Sequence, residues 1–329
     1  MKDVSRKDDA GGSGYQDGMR IPTPRGRLSE AVHDHLTDPE VRALGLPALA
    51  PQGPDDAAIA LWTLYELMYR GFDDVPDDVE WDPVLIEVRR RLERQLEARL
   101  RDDFSAIGFA GTFADLLQED RLNAGTARFV RREATVDDVL EILIQKSVYH
   151  LKEADPHCFV LPRLDPGPKS MLAELQYDEL GGGRPERLHA ALFAEALAAA
   201  GLDPAYGAYL DRATEETLTL NNAMSMFCLN RRLRFAAMGH LAAFEATSSL
   251  PSADMVRGLR RLGFGEPVVR YYDEHVEADA VHEHLAREIC DRMTGGDPAL
   301  EREVLFGAYV CLELERRSAV KLVGAEVAA

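Results

Sequence analysis

Cationic residues are scarce relative to acidic ones: 38 Lys and Arg stand against 57 Asp and Glu, a formal net charge of -19 and a pI near 4.9. A field of that sign repels phosphate backbones and anionic headgroups, which ask for clustered Lys and Arg, so neither nucleic acid nor membrane is expected as a partner. Cysteine is also sparse. Cys158, Cys228, Cys290 and Cys311 are scattered through apolar stretches with no CxxC pair, which argues against a zinc knuckle and a disulfide framework and leaves them as buried free thiols. No stretch reaches the roughly 18 uninterrupted apolar residues of a membrane span. The opening MKDVSRKDDAGGSGYQDG is polar and glycine-rich, with nothing like the apolar segment of a signal peptide, so a cytoplasmic address is expected. There is no internal repeat, no GxGxxG after a strand, no P-loop pattern and no nucleophile elbow, which lowers dinucleotide, nucleotide and acyl-transfer chemistry together.

What is present is helical period. With 329 residues, 46% of them hydrophobic, the chain can bury a substantial core without staples. Residues 1–27 lack periodicity and are expected to form a flexible tail, with one helical domain over 28–329. From Leu28 onward the apolar residues recur at helical spacing in about ten segments, among them DPVLIEVRRRLERQLEARLRDDF, TVDDVLEILIQKSVYHLKEA and VVRYYDEHVEADAVHEHLAREICDRM. The segment from Leu218 to Phe244 is apolar on most faces and carries Ala223, Ser225, Ala236, Ala237, Gly239 and Ala242, which suits a helix pair buried at the centre of a bundle. The fold class expected is all-α.

Chemistry must then come from side chains on helices. The sharpest pattern is His275-x3-Asp279-x2-His282, in a stretch free of helix breakers. At about 100° per residue its three side chains fall within roughly 60° of arc on successive turns. Two imidazoles and a carboxylate suit iron and other first-row metals better than calcium or magnesium. A second pattern, Glu186-x2-His189, opens the PERLHAALFAEAL segment, and Glu-x-x-His pairs recur in di-iron carboxylate bundles. Glu186 in a first helical turn is equally a macrodipole partner. Seven residues earlier lies Glu179, separated from Glu186 by Gly181, Gly182 and Gly183; these glycines permit a tight excursion that could fold a carboxylate against the next helix, as they would permit a plain surface loop. Tyr177 and Asp178 are nearby alternatives. Glu153 ends an apolar helix just before Pro156, where the dipole disfavours a carboxylate unless it has a partner, either Lys152 or a metal. His150 and His157 flank it. Four carboxylates and three histidines form the inventory of a dinuclear site, and burying them without a cation would cost several kcal/mol per unpaired charge.

On EADPH at 153–157, QYDELGGGRPERLH at 176–189 and YYDEHVEADAVHE at 271–283, the chain resembles the haem-oxygenase-like di-iron oxidases and oxygenases, the iron-containing redox enzymes, over roughly residues 55 to 295. The resemblance implies a haem-oxygenase-like helical bundle of about seven core helices without haem, here with extra N-terminal helices. It implies two Fe(2+) per chain, the second loosely held, and O2 as co-substrate. Glu153, His189 and His282 would hold one iron, with Glu186 an additional and mobile ligand; Glu179, His275 and Asp279 would hold the other. The reaction implied is N-oxygenation of an amine, or C–H oxidation leading to desaturation, cleavage or cyclisation, with electrons from an external donor and a place in specialised metabolism.

For contacts to a small-molecule substrate the residues nominated are Tyr149, Asn222, Met226, Arg234, Glu245 and Tyr272, with Glu186, Tyr272 and Glu245 as candidate catalytic groups. Arg234 suits a carboxylate and Glu245 an amine, which favours an amino-acid-like substrate. A homodimer is compatible with a bundle of this size. Three rival readings stand: a mononuclear iron oxygenase built on His275, Asp279 and His282; a non-catalytic iron-binding helical protein; and an interaction module whose motifs are acidic surface.

Overall fold

A computed structural model describes residues 19–46, 48–120 and 125–324; of residues 119–120 and 277–281 it describes the backbone alone. The first 18 residues of the expected tail therefore lie outside the described residues. Fifteen α-helices and several short 3-10 turns account for the described secondary structure, with no strand among them. The helices are α1 (Arg27–Thr37), α2 (Pro39–Leu44), α3 (Pro54–Glu66), α4 (Pro83–Ala106), α5 (Phe113–Asp120), α6 (Gly125–Arg132), α7 (Val136–His150) and α8 (Asp155–Cys158). They continue as α9 (Pro166–Glu179), α10 (His189–Ala199), α11 (Glu215–Leu229), α12 (Arg234–Ala246), α13 (Ser249–Leu262), α14 (Glu266–Thr294) and α15 (Pro298–Val323). The surplus over the ten periodic segments comes from short pieces such as α2, α6 and α8, too brief for periodicity to resolve.

Local chemistry sets the ends. Thr135 caps α7 in a reciprocal box with Asp138, and Asp297 caps α15 just ahead of Pro298. Ahead of α1, Thr23 bonds the Asp211 carboxylate through both its N–H and its hydroxyl, and Arg25 donates to Asp55 and to the carbonyls of Leu210 and Ala213. Met19 is buried.

The Leu218–Phe244 segment forms α11 and α12, and both are almost wholly buried. Helix α12 lies against α15 at backbone contact. A Cβ on Gly239 would overlap the Val304 carbonyl, and one on Gly307 would overlap that of Ala236, so these two glycines set the closeness of the pair. On another side α12 packs on α14, and α14 also receives α9, α10 and α13. One long helix is thus the meeting place of three others that bear carboxylates or histidines. Cys228, Cys290 and Cys311 are buried and Cys158 half-buried, and among the described residues none forms a disulfide. No helix among the described residues is long and apolar enough to cross a membrane.

Candidate metal centre

Helix α7 stops at His150, and the chain turns through Lys152 and Glu153 to Ala154, which adopts a left-handed conformation at φ 73° before α8 starts at Asp155. The reversal sends consecutive side chains to different places. Lys152 reaches Glu66, with Nζ 3.6 Å from Oε2, and is not the partner of Glu153. The Glu153 carboxylate accepts a 2.9 Å bond from Tyr271 Oη, lies 3.2 Å from His150 Nδ1, and faces His275 Nε2 at 3.8 Å.

Helix α9 ends on Glu179, and Gly181, Gly182 and Gly183 all take positive φ. At Gly181 a side chain would strike the backbone of Arg187 and Leu188, so the return is as tight as the sequence allows. It brings His189, the first residue of α10, against Glu179 with Nδ1 2.8 Å from Oε2. The other oxygen, Oε1, is 3.2 Å from His282 Nδ1 on α14. Glu245, from α12, lies 3.6 Å from the same nitrogen, and Asp178 approaches the far ring nitrogen at 3.6 Å.

Six buried residues thus form two groups of potential ligands, Glu153, His189 and His275 in one and Glu179, Glu245 and His282 in the other, each with its donor atoms within 4.8 Å of one another. Glu179 touches both. The two α14 histidines, two turns apart, serve different groups rather than one triad. The His275 ring bonds the Tyr271 carbonyl through Nδ1 at 2.6 Å, which turns Nε2 to the cavity. A cavity of about 10 Å³, bounded by Glu153, Glu179, Glu245, His275 and His157, lies between the groups and has room for an ion or a water.

The electrostatics are those of a site short of positive charge. Burial by itself would raise the Glu179 carboxyl, but His189 and His282 beside it hold it down at about 2. Burial would lower His282, yet hydrogen bonding and attraction from Glu179 and Glu245 lift it to about 11. Glu153 is held well below the carboxylate range against its burial by His150 and His275, while burial keeps Glu245 raised. His189 Nδ1 and His282 Nδ1 are buried without an aligned hydrogen bond although carboxylate oxygens lie close by. Converging lone pairs of this kind, from oxygen and nitrogen with no thiolate, fit a first-row divalent metal.

Not every nominated residue joins. Glu186 is exposed in a one-turn 3-10 helix, Pro185–Arg187, because Leu188 is extended at ψ 128° and breaks the i, i+3 alignment with His189. Asp279 lies within α14, and its side chain is outside what the structure describes. Tyr177 is exposed. Asn222 donates to the Ala58 carbonyl, Met226 is core, and Arg234 donates to the Arg231 carbonyl and stacks on Phe235. Tyr149 and Tyr272 do line a larger cavity, of about 230 Å³, which reaches Glu153 and His275. Glu245 enters as a member of a ligand group and not only as a substrate contact. The signal was there: a lone carboxylate at the end of an apolar helix, which burial forbids without a partner.

Comparison with curated proteins returned no match. Among solved structures, a CADD-like protein of unknown function from Nostoc punctiforme aligns at TM-score 0.49 and 17% identity, covering 66% of this chain and 96% of its own. The family description for iron-containing redox enzymes matches residues 140–316, a span holding all six clustered residues and more than half of the chain. The chain belongs to the iron-containing redox enzyme family, with its all-α, haem-oxygenase-like fold.

Proposed function

We propose that this protein is an O2-activating non-haem di-iron oxidase or oxygenase acting on a small amine or amino-acid-like substrate. The observation that carries the reading is the position of Glu179, whose two oxygens face a histidine of each ligand group. A mononuclear centre has no use for that arrangement. Glu153, His189 and His275 would hold one ferrous ion and Glu179, Glu245 and His282 the other, with Glu179 between them and Asp279 as a further ligand. When bound, the two irons would supply electrons to dioxygen and be reduced again by an external donor.

The protein's own part is orientation and exclusion. Tyr271 and His150 fix the Glu153 carboxylate, and the Tyr271 carbonyl fixes the His275 ring. Tyr149, Phe244 and Tyr272 wall the larger cavity that reaches His275 and give its lining an aromatic face for the substrate. Burial raises the Tyr272 hydroxyl, so it stays protonated and can donate a hydrogen bond to bound substrate.

The test is iron content after anaerobic ferrous loading, paired with stopped-flow absorbance on mixing with oxygen. Two irons per chain and an absorbance transient are expected. One iron per chain at full oxygen consumption would establish the mononuclear alternative, and iron binding without oxygen consumption would establish a non-catalytic protein.

A further inference from the structure

The larger cavity carries two further charges that neither ligand group includes. Lys146 of α7 and Glu315 of α15 both line it and both are half-buried. Among the described residues neither has an ion pair or hydrogen bond, with each other or with any other group. The third charged side chain here, Arg316, is exposed and already held by Glu313 through two 2.8 Å bonds. Deeper in the same cavity, Tyr272 Oη and Asn221 Oδ1 are buried with no partner.

We infer that this cavity receives the head group of a free α-amino acid, with Lys146 taking the carboxylate and Glu315 the ammonium. The side chain then runs inward past Asn221 and Tyr272 toward Glu153 and His275. Lys146, Tyr149 and His150 share one face of α7, so Lys146 stands about one helical turn, roughly 5.4 Å, before the histidine that touches Glu153. A side chain of a few bonds spans that gap. Selectivity follows from sign. A bare carboxylate meets Glu315 uncompensated, a bare amine meets Lys146 uncompensated, and only the zwitterion satisfies both. In a chain of net charge -19, an unpaired lysine in a half-buried cavity is a specific attractor for an anionic group.

This inference rests on the amino-acid-like substrate proposed above and names its head-group site. Calorimetric titration of the full chain, metal-free and again ferrous-loaded without oxygen, tests it with L-norleucine, pentylamine and hexanoate, which differ only in the two head charges. A second series, L-glutamine, 4-aminobutanamide and glutaramate, carries a polar side chain past Tyr272 and Asn221. At least one of the two amino acids is expected to bind about tenfold or more tighter than its truncated forms. Lys146→Met should remove the preference over the amine, and Glu315→Gln the preference over the carboxylate, each with iron content unchanged. If neither amino acid binds, or if Lys146→Met leaves the preference intact, the inference is overturned while the iron centre stands. If the amino acids bind the metal-free chain but iron loading fails, it is the di-iron reading that falls.

Discussion

Lys152 and Glu153 are neighbours in the chain and both are buried, yet they belong to two unlike ionic clusters. Lys152 lies 3.6 Å from Glu66, which also accepts a 2.7 Å bond from Tyr206 Oη, and its ammonium lies over the rings of Trp62 and Tyr69. One cation meets one carboxylate, and the second Glu66 oxygen accepts the Arg70 backbone N–H at 3.3 Å. Around Glu153 the count is different. Three carboxylates, Glu153, Glu179 and Glu245, share their surroundings with His189, His275 and His282, and among the described residues no Lys or Arg is paired with any of them. A buried cluster that balances its own charge is structural; one whose carboxylates outnumber its permanent cations is built for an ion from outside.

The sharpest way to break this contrast is to remove the shared carboxylate. Glu179→Ala takes an oxygen from one ligand group and the carboxylate that faces His189 from the other, so iron per chain after anaerobic loading should collapse from two toward zero while the helical circular dichroism is retained. Retention of both irons would remove Glu179 from the centre. Lys152→Met gives the opposite pattern. Iron content should be unchanged, but Glu66 is left as an unpaired buried charge, and chemical denaturation should show a loss of about 3–5 kcal/mol. Adding Glu66→Leu to that variant should recover much of the loss, since a buried pair replaced by apolar groups is often neutral. A Lys152→Met protein that lost iron as Glu179→Ala does would mean the two clusters are one.

The pH dependence of the metal-free protein sharpens the same point. His282 is raised from 6.5 to about 11, so the stability it contributes is complete below about pH 6.5 and is lost as pH rises through 11. Glu179 is depressed from 4.5 to about 2, so its contribution is present above about pH 4.5 and is lost as pH falls through 2. Metal-free thermal stability should therefore decline on the alkaline side, where the proton on His282 is the substitute cation. On the proposed di-iron reading a ferrous ion would replace that proton, and the loaded protein should show a flatter alkaline limb. Parallel limbs with and without iron would mean that His282 is not a ligand.

How much of this could be read from residues alone depended on whether the reasoning stayed within one element. His275 and His282 are two turns apart on a single unbroken helix, so period and spacing placed both inward. The three glycines after Glu179 announced a tight return, and the return delivers His189 to Glu179. The assignment of histidines to groups was not legible, because it depends on how α9, α10 and α12 lie against α14. His275 is grouped with His189 and Glu153, whereas the family resemblance implied His282 in that place. Glu245 was legible as an oddity in an apolar helix but not as a neighbour of His282, a contact made across some 37 residues of chain.

The smallest expected effects concern Glu186, where the sequence argument needed a helix that does not exist in the form assumed. Pro185 looked like the first residue of α10, which would align Glu186 with His189; instead it opens a separate 3-10 turn, and α10 starts at His189. With Glu186 exposed and Glu245 in the second ligand group, the two carboxylates exchange roles. Glu245→Gln should weaken one iron by at least about tenfold, the low end of what losing even an outer partner of a metal site costs. Glu186→Gln should leave resting iron affinity within about twofold of the parent. If Glu186 is instead a mobile ligand, its turn must rewind onto the start of α10 once metal is bound, which the run of positive-φ glycines before it permits. Competition with a ferrous chelator separates the cases. Equal losses in the two variants would mean that the loaded protein carries Glu186 at the metal, and that the exposed turn belongs to the metal-free state alone.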